Sequence, residues 1–167
     1  MEIRLTTTND LDEVMEIYRK ARLFMRAHDN PTQWLGGKPT REQIEYDIEN
    51  KQSFVCTHEG RIAGVMCFFI GTDPTYAIIE KGNWLSDDTY AVVHRIASSG
   101  EFKGTGTFMM EWAFEQFPNV RIDTHEDNYV MQNMLTKLGY THCGTIYLDN
   151  GDPRLAYQKS KQTQTKE

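Results

Sequence analysis

With 167 residues, 39% of them hydrophobic, the chain is long enough to bury one core and short for two domains. Its 24 acidic against 18 basic residues leave a net charge of −6, which argues against nucleic acid or an anionic membrane as a partner, since both need a concentrated basic surface. Cys56, Cys67 and Cys143 are odd in number and sit in apolar runs, no Cys/His spacing fits a metal, and no apolar run has signal-core or membrane-span length, so the expectation is a cytoplasmic protein with reduced core thiols.

Glu2 to Thr6 alternates as a short strand. Asn9 is placed to cap a helix whose first turn holds Asp10, Asp12 and Glu13, with Leu11, Val14, Met15, Tyr18, Ala21 and Met25 on its core face. Between His28 and Pro39, two prolines, Asp29, Asn30 and Gly36-Gly37 predict a loop. Thr40 and Gln43 form a capping box for a second helix carrying Ile44 and Ile48. Ser53 to Thr57 and Ile62 to Ile70 read as antiparallel strands joined at Glu59-Gly60. Another strand is predicted over Tyr76 to Ile79, followed by a polar link from Gly82 to Asp88 in which Trp84 either walls a site or covers the core.

Tyr90 to Ser98 is β-branched and mostly apolar on both sides, the pattern of a central strand. It runs into Ser99-Gly100-Glu101-Phe102-Lys103-Gly104-Thr105-Gly106-Thr107, after which Phe108, Met109, Trp112, Ala113 and Phe114 recur at helical spacing. The first N–H groups of a helix lack internal partners and carry partial positive charge. Gly104 and Gly106 let an anion approach them, while Lys103, Thr105 and Thr107 add charge and hydroxyl donors, so a phosphate or pyrophosphate is the expected guest. A dinucleotide fingerprint would need glycine where Met109 stands, and a Walker loop would need Gly-Lys-Thr where the order is Lys-Gly-Thr.

After Pro118, Val120 to His125 alternates as a strand with Arg121, Asp123 and His125 on one face, which calls for an Arg121–Asp123 pair or a cleft. Asp127 is placed to cap a last helix with Met131, Met134, Leu135 and Leu138 on one face and Gly139 at its end. Tyr140 to Leu148 and Arg154 to Gln158 flank the turn Asp149-Asn150-Gly151-Asp152 as the final strands. One domain over 1–159 and a polar tail over 160–167 follow.

Arg95-Ile96-Ala97-Ser98, the Lys103-Gly104-Thr105-Gly106 turn, Asn128 and Lys137-Leu138-Gly139-Tyr140 resemble the GNAT superfamily of acetyl-CoA-dependent N-acetyltransferases, across about the last two thirds of the chain. Within it, Arg121 to His125, Met131-Gln132-Asn133, Cys143-Gly144 and Arg154 to Tyr157 resemble a bacterial subgroup without an assigned substrate. The resemblance implies an α/β (α+β) domain with a mixed, mostly antiparallel sheet, a splayed strand pair and helices on both faces. Acetyl-CoA would lie in the splay as co-substrate, with Ile96, Ala97 and Ser98 beside its pantetheine arm, its pyrophosphate on Lys103 to Thr107, and Asn128 and Asn133 as further contacts. Gln33 and Trp34 fall in the loop that often borders the acceptor, although Trp34 also suits a plug at the core edge.

The implied reaction is direct attack of a neutral primary amine on the thioester, the acceptor being a small molecule; a homodimer is left open. An amine is mostly protonated at neutral pH, so a base is needed, and histidine titrates in the right range. His94, beside the cofactor segment, is the first candidate and His125 the second, each with a structural alternative as a hydrogen-bonded core or turn histidine. Leu135 stands where many members carry the tyrosine that protonates the leaving thiolate, which passes that role to Tyr129, Tyr140, water or no acid. Glu101 stands where an Arg or Gln is usual in the turn. The competing readings are a GNAT-like acyl-CoA-binding module without turnover and a nucleotide-binding protein using the glycine turn for ATP or NAD.

Overall fold

The structure is a computed structural model that describes residues 1–161. Within them seven strands form one sheet: β1 (Glu2–Leu5), β2 (Ser53–His58), β3 (Arg61–Ile70), β4 (Ala91–Ser98), β5 (Asn119–Thr124), β6 (Thr141–Tyr147) and β7 (Pro153–Ser160), in the order β1-β2-β3-β4-β5-β7-β6. β4 and β5 run parallel and the other neighbours antiparallel. Helices α1 (Leu11–Ala27), α2 (Arg41–Glu49), α3 (Thr105–Gln116) and α4 (Tyr129–Lys137) cover it on both faces.

The strand alternation sorts the core. Val55 and Val65 pack with Leu11, Val14, Ile17, Tyr18 and Ile44 of α1 and α2, whereas Cys56, Met66 and Phe68 pack with Met109, Met110 and Ala113 of α3 and Leu135 of α4. A third cluster of Tyr76, Tyr90, Val92, Ile146 and Ala156 closes the end under the Gly71–Thr89 link. All three cysteines are buried and free, and burial pushes the Cys67 thiol up to about 12. Among the described residues no helix is long and apolar enough to cross a membrane.

Several element ends differ from the sequence reading. Asn9 does not cap α1; a 3₁₀ turn at Thr8–Asp10 precedes it, in which the Asp10 carboxylate accepts from the Thr7 N–H at 2.7 Å and takes both Arg4 nitrogens at 2.7 and 3.0 Å. The Arg4 bond outweighs desolvation and holds Asp10 at about 2. The strand predicted over Tyr76 to Ile79 is absent from the described residues. Asp73 instead accepts from the Thr75 N–H at 2.9 Å and Pro74 opens a 3₁₀ turn at Pro74–Tyr76, leaving only a bridge between Glu80 and Thr145. Asn128, not Asp127, caps α4, its Oδ1 accepting from the Met131 N–H at 3.1 Å. β7 takes in Lys159 and Ser160, so the domain runs at least that far, and the predicted tail beyond Lys161 lies outside the described residues.

Candidate active site

β4 and β5 pair only at Ala91 with Val120 and Val92 with Arg121, then separate. A bulge adds to the separation. On β3 Val65 faces Ala97 and Cys67 faces His94, so Met66 opposes both Arg95 and Ile96. The extra residue inverts the alternation: Ala91 and Val93 face α3, while Ala97 faces α1. Arg95 sits at φ +51°, a left-handed conformation that costs a non-glycine residue about 1 to 3 kcal/mol.

Three contacts hold it there. The buried Asp47 carboxylate takes Arg95 Nε at 2.9 Å and a terminal nitrogen at 2.8 Å, and the Tyr18 hydroxyl donates to the Arg95 carbonyl at 2.7 Å. Burial pulls the Arg95 guanidinium down, but the Asp47 bonds outweigh it and leave the group above its ordinary value. Beyond Val92, the main-chain groups of β4 that turn toward β5 have no ladder partner there, an edge that calls for a guest.

Two cavities occupy the gap and share Met25, Ile96, Asn128 and Met131 as a common wall. The smaller, about 260 Å³, is lined by Ile96, Ala97, Ser98, Gly106, Met109 and Met134 among others. It leads to the start of α3. Gly104, at φ +79°, ends the turn, and the first helical bond runs from Phe108 to the Gly104 carbonyl at 2.9 Å, so the N–H groups of Thr105, Gly106 and Thr107 precede the ladder. An apolar channel along an open strand edge, ending at a helix N-terminus, suits a long ligand with a thin apolar arm and an anionic group. Lys103 is exposed beside this end, whereas the Thr105 hydroxyl is buried and donates to the Phe102 carbonyl at 3.0 Å. Glu101 turns away to pair with Arg61 at 2.6 Å.

The larger cavity, about 530 Å³, reaches from the gap to the loop after α1 and the β6–β7 turn. His94 stands on its wall between two carboxylates. Its Nε2 donates to Asp73 at 2.5 Å, and its Nδ1 lies 3.8 Å from Asp123. Asp73 is fixed in turn by the Thr75 N–H and hydroxyl, at 2.9 and 2.7 Å. Burial pushes its carboxyl up, yet the bonds from His94 and Thr75 prevail and hold it at about 2. Tyr76 donates its buried hydroxyl to Asp123 at 2.6 Å, and burial raises that phenol well above its ordinary value. A carboxylate can only accept, so a neutral His94 carries its proton on Nε2 toward Asp73, with Nδ1 turned to Asp123.

His125 is not brought to this cavity. Its Nδ1 accepts from the Asp127 N–H at 3.0 Å in the turn before α4, and its Nε2 meets the Thr32 hydroxyl at 3.0 Å in the loop after α1, so both nitrogens are engaged. Gln33 and Trp34 do line the larger cavity. Gln33 Oε1 accepts from Asn128 at 2.8 Å and Asn30 at 2.9 Å, tying the loop to α4, and Trp34 packs edge-on to Tyr18. Asn128 borders both cavities with its oxygen committed to the helix cap. Of the expected cofactor contacts, Lys103, Gly104, Thr105, Thr107 and Asn133 line neither cavity; Thr107 is half-buried and Asn133 is exposed on α4. Leu135 is fully buried core, and Tyr140 is buried with no partner for its hydroxyl among the described residues, while Tyr129 is exposed at the smaller cavity.

The expected Arg121–Asp123 pair does not form. Arg121 lies between the Trp84 and Tyr90 rings, 4.1 and 4.0 Å from their centres, and donates to the Ser86 carbonyl at 2.6 Å, so Trp84 covers core rather than walling the site. The sequence reading also missed Asp73, Tyr76 and Arg154. Asp73 lies in a link that looks like punctuation, Tyr76 reads as the start of a strand, and Arg154 reads as a strand residue within the subgroup resemblance, with no role of its own. The presence of Arg95 at positive φ has no sequence signal either.

The model of a family described as acetyltransferase (GNAT) family matches residues 11–140. No curated protein matches the chain. Among solved structures, the chain is similar to a GNAT-family acetyltransferase from Streptococcus agalactiae 2603, 37% identical, covering 97% of this chain and 96% of that one with a TM-score of 0.87. A GNAT-family acetyltransferase from Listeria monocytogenes 4b F2365 is 24% identical over 96% and 94% of the two chains, TM-score 0.69. A ribosomal-protein-alanine N-acetyltransferase from Brucella melitensis is 19% identical over 96% and 100%, TM-score 0.62, a likeness of fold.

Proposed function

The chain belongs to the GNAT family of acetyltransferases, and on that premise we propose that it moves the acetyl group of acetyl-CoA to a primary amine of a small acceptor by direct attack. The observation that carries this reading is the pair of cavities meeting at Ile96, one apolar and leading to the α3 N-terminus, the other holding His94 between two carboxylates.

Acetyl-CoA supplies an acetyl group activated as a thioester. Ile96, Ala97 and Ser98 would line its pantetheine arm and offer the unpaired main-chain groups of β4, while Gly104, Gly106 and the free N–H groups of α3, with Lys103, would take the pyrophosphate. Thr105, its hydroxyl already used, contributes main chain only. His94 Nδ1 takes the proton of the attacking amine, directly or through water; Asp73 holds the ring and Asp123 faces the imidazolium that forms. An N–C bond forms, the C–S bond breaks, the amine proton passes to His94, and CoA departs as the thiolate, which takes up a proton from the His94 imidazolium or from water. A main-chain N–H of the bulged strand, left without a partner on β5, would favour the oxyanion. Gln33 and Trp34 border the acceptor, and His125 supports them through Thr32.

Leu135, buried where many relatives carry a tyrosine, favours a second reading in which acyl-CoA is bound without turnover. A thermal-shift titration with acetyl-CoA, CoA, ATP and NAD, followed by thiol release across an amine panel, separates them. Stabilisation by the CoA species with thiol release on one or more amines is the expected result. Stabilisation without release leaves the binding module, and a larger shift with ATP or NAD overturns the cofactor assignment.

A further inference from the structure

Three arginines, Arg95, Arg121 and Arg154, are drawn into the fold, and they are not treated alike. Arg95 has the Asp47 carboxylate, and Arg121 has two aromatic faces and a carbonyl. Arg154, 6% exposed, has neither. Its guanidinium donates to the Pro153 carbonyl at 2.9 Å and the Gln33 carbonyl at 3.3 Å, and among the described residues it forms no ion pair. A guanidinium carries five N–H donors in a planar fork, and burying one without an anion is costly. Burial pulls it below its ordinary value, only partly offset by the charges of Asp123 and Asp152.

The side chain is not sealed in core. It lines the larger cavity, whose wall also holds His94, Asp73 and Asp123. Asp123 faces Ala156 across the β5–β7 ladder, so Arg154, two residues before Ala156, is its diagonal neighbour on the same face, at roughly 7 to 8 Å between backbones. Asp123 is turned to Tyr76 and His94, leaving the Arg154 fork free of it. The cavity wall therefore holds both a candidate proton acceptor, His94, and a cation, Arg154, with Asp123 next to each.

We propose that Arg154 receives the carboxylate of the acceptor, which makes the substrate a small amino acid whose amine meets His94 while its carboxylate lies on the guanidinium. This rests on reading the larger cavity as the acceptor site of an N-acetyltransferase. A planar monoanion matches the fork in two parallel bonds, whereas a dianionic phosphate would meet Asp123 and Asp152 beside the same group. The inference selects among amines on charge. Polyamines and aminoglycosides, which bring no anion, leave Arg154 unsatisfied.

The test sets each of the twenty protein amino acids beside its carboxamide, for binding to the CoA-saturated protein by calorimetry and for thiol release with acetyl-CoA. The expected result is at least one amino acid favoured over its carboxamide by about 10- to 100-fold in affinity and in kcat/KM, the value of a charge-assisted pair. Arg154→Gln should abolish that preference by weakening the acid and not the amide, and Arg154→Lys should restore part of it. The melting temperature of each variant with CoA bound reports that the cavity has survived. Carboxamides bound as well as acids, a preference unchanged in Arg154→Gln, or binding confined to amines without a carboxylate would each overturn the inference. Arg154-dependent binding without thiol release would uphold the carboxylate site and refute acetyl transfer instead.

Discussion

Replacing Asp47 by Ala asks what holds the bulge of β4 in place. In the protein the carboxylate, 2% exposed, makes two bonds to Arg95 at 2.9 and 2.8 Å, and Arg95 carries the positive φ that opens the strand. Removing one partner of a buried pair leaves the other charge without compensation, at a cost of about 3 to 5 kcal/mol. The remaining tie, Tyr18 to the Arg95 carbonyl, fixes the backbone but cannot neutralise the guanidinium. For a domain of this size each kcal/mol lowers the midpoint by roughly 2 to 4 °C, so Asp47→Ala should melt roughly 6 to 20 °C below the parent. Asp47→Ala combined with Arg95→Ala should cost less than the sum of the two singles, since the second change removes the stranded charge. The variants are compared by denaturant titration, with acetyl-CoA affinity measured on each at a temperature where it is folded. If the bulge depends on the pair, affinity falls along with stability. A single variant within about 1 kcal/mol of the parent, or strictly additive singles, would refute the account of the pair as the clamp.

His94→Ala should lower kcat by about 100-fold or more with acetyl-CoA affinity little changed, and a parallel loss of affinity would assign His94 to packing instead. The Asp73 carboxyl is held at about 2 against an ordinary 3.8, so it stabilises the fold fully above about pH 4 and loses that contribution as pH falls toward about 2; the stability gap between the parent and Asp73→Asn, followed by acid titration, should close over that window. A gap independent of pH would mean that the pair does not form in solution. A Cβ at Gly106 would stand 3.0 Å from the Met134 sulfur, a flexible neighbour that can shift, so Gly106→Ala should fold; Gly106→Leu would fill the smaller cavity and weaken CoA binding at least about tenfold by calorimetry, and unchanged affinity would place the cofactor elsewhere. Tyr140→Phe removes a buried hydroxyl that has no partner among the described residues and should leave stability equal or slightly higher and kcat unchanged, whereas a kcat loss of tenfold or more would restore Tyr140 as the thiolate's acid.

What the sequence makes legible here is what neighbours in the chain decide. The apolar run before Ser99, the glycines at 104 and 106 and the helical spacing after them are local facts, and they position α3 against β4 as read. The errors occur where two local rules compete or where a partner comes from far away. Tyr76 to Ile79 has strand composition, but Asp73 and Pro74 impose a 3₁₀ turn before a ladder can form. Alternation put Arg121 and Asp123 on one face correctly; it could not show that aromatic rings from the preceding link claim the first and Tyr76 and His94 the second. The bulge is visible only in the register against β3, because a continuous apolar run looks the same with or without an extra residue.

The same distinction decides which histidine is poised for chemistry. In the sequence His94 ranks ahead of His125 by its place beside the cofactor segment, but each has a structural alternative. The difference comes from their neighbours: His94 stands on the cavity wall between Asp73 and Asp123, whereas the Asp127 N–H and Thr32 occupy both nitrogens of His125. A proton acceptor needs a free lone pair and a path to substrate, and neither is a property of a residue type or a spacing. Asp73 and Arg154, on which the proposed acceptor site rests, have no role assigned from the sequence: one lies in a link, and the other stands in a stretch read only as a strand and as part of a family resemblance.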